Sequence, residues 1–522
     1  MTTGKCDRRQ FLKAAVFGAS GMILPQRVRG ATQAAKGKRP NIIFIETDSQ
    51  DGRGLGCMGH AAMRRATPNL DALARQGTLF RNAYCNSPMC CPSRASMWSG
   101  LWTHHCEGWN NYKGLSETDP TFRTRLEEAG YLVQTFGKTD YLSGGHSIRA
   151  RVSAWTRSAN IERPNYRMEP PQIIKGDSSQ IHEGDWQTVE RGLNWLKDVA
   201  ATDDRPFMLY VGFNAPHPAF RTSEKYLERI DEKGVTIPPT DQQDHPVMRY
   251  QRIVKSWLYG FSDEMVRKVR RIYFAMIAEV DAMVGELLAA IKKLGLTEST
   301  YVIFTSDHGE NAMEHRQFYK MNHYESSARV PMIVAGPGLP KGVEVETPVS
   351  LVDIYPTLMD MANRATPQGL DGHSLMPLLT GQPSDHPNWV LSEYHDSTCN
   401  TGSFMIRRGN WKYIAYVGYE PQLFNLKDDP DEIRNLAKAR PKVVKEMDAL
   451  LRKIVPYEAV DAKVKAYDRQ SFRRWREEMK ARGEYEKNMA QLFSGWDNLR
   501  DDEITPWTEK DEALILRWLG GA

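Results

Sequence analysis

Four short hydrophobic runs alternate along the chain with segments of helical periodicity. The runs are IIFIETD ending at Asp48, YLVQTFGK ending at Lys138, FMLYVGFNAPH ending at His217, and YVIFTSDH ending at Asp307 and His308. Near-continuous apolar runs are typical of strands covered on both faces in a mainly parallel sheet. From Met265 to Leu294, apolar side chains recur every three or four residues, which predicts a long amphipathic helix. The alternation predicts an α/β fold, a large and mainly parallel sheet flanked by helices.

Each of these predicted strands ends in a polar side chain. Ligands of open α/β sheets bind beyond the carboxyl ends of the strands, where loops and helix N-termini converge. A carboxylate, an amine, an imidazole and an Asp-His pair at these ends therefore predict a functional site. The alternative is that short polar residues only terminate the strands.

The sequence pattern changes after about Pro387. The runs LSEY, SFMIRRGNWKYIAY and QLFNLKDDPDE predict a small antiparallel sheet, and charged helices follow to the end of the chain. We therefore expect a catalytic domain over residues 31–386 and a smaller C-terminal α+β subdomain over residues 387–522. The charge runs of that subdomain are interpreted as solvated helix faces without a chemical role.

Residues 1–30 have the pattern of a targeting segment. The basic run RRQFLK precedes the apolar stretch AAVFGASGMIL, and small residues follow near Gly30 and Ala31. This resembles a bacterial twin-arginine export signal, with Asp7 where Ser or Thr is usual. It predicts passage through the twin-arginine translocase to the periplasm or cell exterior; an amphipathic helix is the alternative. No segment offers about twenty uninterrupted apolar residues, so no stable membrane span is expected.

Composition narrows the class of protein further. The 522 residues are 41% hydrophobic and 26% charged, which excludes disordered, collagen-like and disulfide-scaffold chains. The net charge is +4, and residues 1–30 alone carry +5, which leaves −1 for the remainder. A nucleic-acid partner is therefore not expected, and an anionic substrate would need a local group of cations. The seven cysteines are too few for a disulfide framework, and adjacent Cys90 and Cys91 fit no CxxC site.

The segment NSPMCCPSRASMWSG, residues 86–100, carries the most specific chemistry. Pro92 predicts a helix start, which would place Cys90 at an N-terminus whose free N–H groups favour an anion. Arg94, on the first turn, could bind a tetrahedral oxyanion in bidentate fashion. The residues alone thus indicate an anion site beside a thiol that this environment could activate. A buried structural cysteine before a helix is the alternative.

The pentapeptide Cys90-Cys91-Pro92-Ser93-Arg94 resembles the C-x-P-S-R signature of the formylglycine-dependent sulfatases. The resemblance implies the alkaline-phosphatase-like fold of that family and a formylglycine (3-oxoalanine), made from Cys90 by a formylglycine-generating enzyme before the chain folds. It also implies a divalent cation, usually Ca²⁺ with Mg²⁺ as the alternative, held by a set of ligands that matches Asp48, Cys90, Asp307 and His308.

One metal ligand stays open. Many sulfatases have a second aspartate directly after the first. This sequence has Ser49 there, with Asp51 two residues further on. The fifth ligand is therefore either of these two.

The same resemblance implies roles for further residues. Lys138 is similar to the family lysine that contacts the aldehyde hydrate and the sulfate, and Lys320 to the second sulfate-binding lysine. His217 matches the histidine that protonates the leaving oxygen. His245 matches a histidine assigned to substrate binding. The family often has another histidine shortly after the first lysine; here Asp140 and Tyr141 occupy that stretch, and His146 or another histidine would be the substitute.

The implied activity is hydrolysis of sulfuric esters. Such a reaction needs charge neutralised on the transferred group and a proton delivered to the leaving alcohol. The metal, Arg94, Lys138 and Lys320 would serve the first need and His217 the second, while the hydrated aldehyde attacks sulfur.

Runs such as WNNYKGL, FGKTDY and AMEHRQFYKM are similar to a branch of the family that acts on glycosaminoglycans. They imply the 2-O-sulfate of a terminal glucuronate or other hexuronate in a sulfated poly- or oligosaccharide; an algal sulfated polysaccharide is a further option. Two other functions stay open, namely a phosphonate monoester or phosphodiester hydrolase of the same superfamily, and an inactive sulfated-glycan-binding protein.

Overall fold

A seven-stranded mixed sheet lies at the centre of the chain. The architecture comes from a computed structural model that describes residues 39–162, 168–240, 245–493 and 507–520. The predicted export signal lies outside the described residues. The strands are β1 Asn41–Thr47, β2 Thr78–Phe80, β3 Ala83–Tyr84, β4 Leu132–Gly137, β5 Gln172–Ile174, β6 Phe207–Gly212, β7 Arg221–Ser223, β8 Thr300–Ser306, β9 Arg329–Val330, β10 Met332–Ala335, β11 Val343–Val345, β12 Val349–Ser350, β13 Trp389–Tyr394, β14 Ser403–Arg408, β15 Trp411–Tyr416 and β16 Tyr419–Asn425.

Helices surround the sheet and continue to the C-terminal part of the chain. They are α1 Pro68–Gln76, α2 Cys90–Ser99, α3 Thr103–Cys106, α4 Phe122–Glu128, α5 Ile148–Trp155, α6 Glu183–Thr202, α7 Glu224–Leu227, α8 Pro246–Val254, α9 Asp263–Lys293, α10 Glu325–Ala328, α11 Ile354–Met361, α12 Met376–Leu379, α13 Pro441–Ile454, α14 Tyr457–Ala481, α15 Tyr485–Phe493 and α16 Glu509–Trp518. The helix predicted from Met265 to Leu294 is confirmed as α9.

The four predicted strands are neighbours in the main sheet, whose order is β11-β2-β10-β8-β1-β6-β4. β1 pairs in parallel with β8 and β6, and β6 pairs in parallel with β4. In this register Ile43 lies opposite Val302 on one side and Leu209 on the other. β10 pairs antiparallel with β8 and β2, so the sheet is mixed at that end. The predicted fold class is confirmed, and the carboxyl ends of four parallel strands meet at one edge.

Helices cover both faces of the sheet. Successive side chains of a strand point to opposite faces, so each strand packs against helices on both sides. On β6, the ring of Tyr210 lies 5.1 Å from that of Trp98 on α2. Leu209 and Val211 point the other way, next to Gly192 of α6. β4 differs from the expectation of a strand covered on both faces, since its residues are half-buried. It is one of the two edge strands of this sheet, with a partner on one side only.

The C-terminal part contains the predicted small antiparallel sheet. β13, β14, β15 and β16 pair in sequence order, and SFMIRRGNWKYIAY forms the hairpin of β14 and β15. The helices α13 to α16 follow. The described residues from Arg39 onward form one compact unit, and a domain boundary between residues 386 and 387 stays a prediction.

One charged helix of this part is not simply a solvated face, which corrects the prediction. Asp461 and Asp468 on α14 are buried. The Nε of buried Arg157 donates to Asp468 at 3.2 Å, and its Nη2 lies 3.9 Å from Asp461. Buried carboxylates need a paired cation, and here the cation comes from a residue far away in the sequence. Among the described residues, no helix combines the length and the apolar composition needed to cross a bilayer.

Candidate active site

Cys90 is the first residue of helix α2, which begins two residues before the start predicted at Pro92. Met89 is the extended N-cap residue. Pro92 is then the third helical residue, where its missing N–H breaks no intrahelical hydrogen bond. The N–H of Cys91 donates to Asn111 Oδ1 at 3.1 Å. That donor is therefore occupied, and the helix start is less open to an anion than the sequence suggested.

The chain brings four predicted metal ligands together. One ligand atom from each of Asp48, Cys90, Asp307 and His308 lies within 4.8 Å of the other three. His308 Nε2 is 3.3 Å from Cys90 Sγ and 3.6 Å from an oxygen of each aspartate. All four residues are buried. Asp48 follows β1 and Asp307 follows β8, so the pairing of these strands places both carboxylates at one edge.

The protonation states of this cluster suit a divalent cation. Burial acts to raise the pKa of Asp48, but Lys138, Lys320 and His217 outweigh it and hold that pKa well below its usual value. Burial lowers the pKa of His308 to about 4, although Asp307 opposes the shift. At neutral pH the site thus offers an ionised carboxylate and a neutral imidazole, the forms that bind metal. The residues present fit the cation that the sequence predicted.

Arg94 contacts the protein rather than facing an open oxyanion site. Its side chain is fully buried, and its guanidinium lies 2.8 Å from Asp307 and 3.2 Å from Glu46. Other donors reach Tyr210 Oη at 2.8 Å, the Lys138 carbonyl at 3.0 Å and the Thr47 carbonyl at 3.3 Å. These protein acceptors place Arg94 in a buried network, and its contact with the transferred group stays a prediction. Its ion pair holds Asp307, one of the predicted metal ligands, in place.

Two lysines lie next to the cluster. Lys138 Nζ donates to Asp48 and is 3.5 Å from Asp140. Lys320 Nζ is 3.8 Å from Asp48 and 3.4 Å from Ser49 Oγ. Burial disfavours the charged form of Lys138, but Asp48 raises its pKa well above the usual value. Both predicted sulfate-binding lysines therefore lie beside the four predicted metal ligands, where they supply positive charge.

The structure separates the two candidates for the fifth ligand. Ser49 Oγ donates to Asp48 Oδ1 at 2.8 Å, and the Ser49 backbone N–H donates to Asp307. The carboxylate of Asp51 instead pairs with Arg53 at 2.6 Å, and Arg53 also binds Glu314. Of the two residues, Ser49 is the one whose side chain lies at the cluster.

Cys90 is not an activated thiol. Burial, followed by the charge of Asp48, raises its pKa to about 12. A thiol of that pKa is protonated at neutral pH, and the thiolate is the nucleophilic form of cysteine. The neighbouring Cys91 points elsewhere, with its Sγ 3.8 Å from the carbonyl of Leu142. In this environment the unmodified thiol of Cys90 is a weak nucleophile.

His217 lies beside the second lysine. Its Nδ1 donates to the Pro218 carbonyl at 2.5 Å, which leaves Nε2 for proton transfer. Its ring is 5.7 Å from that of Tyr319, the residue before Lys320. Burial, and then the charge of Lys320, lower the pKa of His217 to about 3. The imidazole is therefore neutral before a substrate binds.

Two other predicted histidines have different surroundings. His245 precedes α8; its Nε2 donates to the Glu420 carbonyl at 2.8 Å, and its ring lies 4.4 Å from Tyr416. These contacts join it to the C-terminal sheet rather than to the metal cluster. His146 pairs with Asp140 at 2.8 Å and so approaches Lys138 indirectly.

Sequence reasoning missed three residues that organise the site. Glu46 and Tyr210 share the Arg94 network, with Tyr210 donating to Glu46 at 2.5 Å. A carboxylate inside an otherwise apolar strand was an available signal, because a buried acid needs a partner. Tyr319, between His217 and Lys320, had no such signal.

Similarity to known protein families and sequences defines the class of protein to which this chain belongs. A family model described as Sulfatase matches residues 40–364, and one described as N-sulphoglucosamine sulphohydrolase, C-terminal, matches residues 313–456. The chain belongs to the sulfatase family. Among its relatives, arylsulfatase K of Canis lupus familiaris is 40% identical over 97% of this chain and 98% of its own length. Arylsulfatase K of Homo sapiens is 41% identical over 86% of this chain and 88% of its own length.

Solved structures agree on the fold. The phosphonate monoester hydrolase of Agrobacterium radiobacter has a TM-score of 0.65 at 24% identity, covering 82% of this chain and 96% of that chain. A 2-O GAG sulfatase has a TM-score of 0.63 at 24% identity, covering 82% of this chain and 94% of that chain. At this identity the likeness concerns the fold alone. Family membership makes hydrolysis of sulfuric esters the chemistry of this chain, with a formylglycine and a divalent metal as the family's cofactors.

Proposed function

We propose that this chain is a sulfatase that removes the 2-O-sulfate from a terminal glucuronate or related hexuronate of sulfated glycans. The observation that carries the proposal is the buried cluster of Asp48, Cys90, Asp307 and His308 with two lysines beside it. The choice of sugar is supported by the relatives named arylsulfatase K, which are about 40% identical over most of the chain.

The residues of the site would have different roles in the reaction. Asp48, Asp307, His308 and residue 90 would hold the divalent cation, Ca²⁺ or Mg²⁺, which neutralises negative charge on the sulfate group when bound. Oxidation of Cys90 to formylglycine would supply, after hydration, an oxygen nucleophile that the protonated thiol cannot provide. Lys138 and Lys320 would bind the remaining sulfate oxygens, and Arg94 would hold Asp307 in place.

His217 would deliver the proton to the leaving alcohol. The hydrogen bond from Nδ1 to the Pro218 carbonyl fixes the ring orientation, so Nε2 is the nitrogen that exchanges a proton. A bound sulfate ester adds negative charge beside the ring, which raises the pKa of His217 from its low value without substrate. The imidazole can then act as a general acid.

Substitution of Cys90 tests the proposal, with the neighbouring cysteine as a matched control. Cys90→Ala should abolish sulfate release from a 2-O-sulfated glucuronate disaccharide, whereas Cys91→Ala should keep substantial activity because Cys91 points away from the cluster. Intact-mass analysis of the active wild type should show the oxidised residue. Activity of Cys90→Ala equal to wild type would refute the mechanism.

A substrate panel separates the sugar from the chemistry. Disaccharides with a single sulfate at defined positions identify which ester is cleared, and aryl phosphonate esters test for a phosphonate monoester hydrolase. Preferential turnover of the phosphonate would contradict a sulfatase.

We also propose export, supported by the twin-arginine pattern of residues 1–30. The formylglycine-generating enzyme must act before Cys90 is buried, and the twin-arginine translocase moves protein that has already folded. Fractionation of cells expressing the full chain should recover the activity outside the cytoplasm; recovery only inside it would contradict export.

A further inference from the structure

The ring of Tyr319 lies close to an imidazole and two ammonium groups from three different segments of the chain. Lys320 Nζ lies 5.9 Å from the ring centroid, and the ring of His217 lies 5.7 Å from it. A third group, Lys255 Nζ, lies 5.5 Å from the same centroid. A cation at this distance from a ring face is attracted by the π electrons. Lys255 therefore shares an aromatic side chain with two groups of the proposed active site.

Lys255 has a different position from the lysines assigned to the sulfate. Lys138 and Lys320 both lie within 4 Å of Asp48, at the metal cluster. Lys255 is the residue that follows α8, and Tyr319 connects it to that cluster. Lys255 is half-buried, so part of its surface is exposed. Its place suits a group of the substrate other than the sulfate.

The charges around Lys255 favour an anionic ligand. Partial burial, and then the like charge of Lys320, lower the pKa of Lys255 to about 8, while Asp396 acts in the opposite direction. Asp396 accepts hydrogen bonds from the backbone N–H groups of Asn111 and Ser397. Two like charges around one ring repel each other, and a ligand with a second negative group would relieve that repulsion.

We propose that Lys255 is a specificity residue that binds the carboxylate of the uronic acid whose sulfate is removed. This inference rests on the proposed function. In a 2-O-sulfated uronic acid, the sulfate and the carboxylate leave the pyranose ring from C2 and C5, which lie opposite each other. A cation set apart from the sulfate lysines by the ring of Tyr319 matches a substrate with two separated anionic groups.

The test compares three substrates. They are a disaccharide with a terminal 2-O-sulfated glucuronate, its analogue with the carboxyl group reduced to hydroxymethyl, and 4-nitrocatechol sulfate. Lys255→Gln should raise KM for the first substrate about tenfold or more, because a charge-assisted contact is lost. KM for the two substrates without a carboxylate should change less than about twofold. Lys255→Arg should keep most of the affinity.

Two further variants keep the result interpretable. Lys255→Met removes the charge with another side chain. It should likewise raise KM for the uronate disaccharide and leave KM for the two substrates without a carboxylate nearly unchanged. Lys268→Gln removes an exposed lysine of α9 and should resemble wild type on all three. An equal effect on all substrates, or no effect on the first, overturns the role of Lys255 and leaves the proposed function intact. Wild type that hydrolyses 4-nitrocatechol sulfate but not the uronate disaccharide refutes the proposed function and this inference with it.

Discussion

Replacement of Arg94 by methionine should destabilise the protein strongly and disturb its metal site. Arg94, Glu46 and Asp307 all have side chains with 0% exposure, and the guanidinium contacts both carboxylates. Methionine has a similar length but no charge, so it leaves two buried acids without their cation. Breaking a buried ion pair in this way costs about 3–5 kcal/mol. The lost hydrogen bonds to Tyr210 and to the Lys138 carbonyl place the expected cost toward the upper end of that range.

The two carboxylates should respond differently to the loss. Burial, opposed by Arg94, raises the pKa of Glu46 to about 7, so Glu46 can take up a proton when the cation is removed. Asp307 would instead lose the contact that orients its carboxylate toward the other predicted metal ligands. Retained divalent metal per folded molecule should therefore fall together with stability.

The assay is denaturant unfolding at pH 7, with metal content measured on the folded protein. Arg123→Met is the matched control, because Arg123 pairs with Glu127 at 2.9 Å with side chains 40% and 42% exposed. An exposed pair contributes at most about 1 kcal/mol. A loss in Arg94→Met no larger than in this control, or full metal retention, would refute the reasoning.

Two further predictions concern proton transfer and pH. His217→Gln should lower kcat about a hundredfold on a sugar sulfate and much less on 4-nitrophenyl sulfate, whose leaving group needs no proton; equal losses would contradict a general acid. His104 Nδ1 lies 2.7 Å from buried Glu393. Burial acts to raise the pKa of Glu393, but His104 outweighs it and lowers that pKa from 4.5 to about 2. Burial acts to lower the pKa of His104, but Glu393 in turn outweighs it and raises that pKa above its usual 6.5. The wild-type advantage in unfolding free energy over Glu393→Gln should thus be complete between about pH 4.5 and 6.5, and should shrink as pH falls toward 2 or rises through the raised pKa of His104. A difference that stays constant across this pH range would contradict the ion pair.

Local patterns in the sequence predicted the elements that carry the site. The apolar runs before Asp48 and Asp307 mark β1 and β8, because strand burial shows directly in residue type. Pro92 predicted the start of this helix within two residues of the observed first residue, Cys90. The parallel order of the strands then required their polar ends to meet at one edge.

Only the tertiary structure decided what each polar side chain contacts. Arg94 and Asp307 are 213 residues apart in the sequence, and only the fold shows that they form a buried ion pair. The same holds for Ser49 over Asp51 at the cluster, for His245 against the C-terminal sheet, and for Lys255 beside Tyr319. Residue type and spacing determine which segments become strands and helices, since those depend on neighbours along the chain. Pairing and burial depend on residues that the fold brings together from far apart, so they appear only in three dimensions.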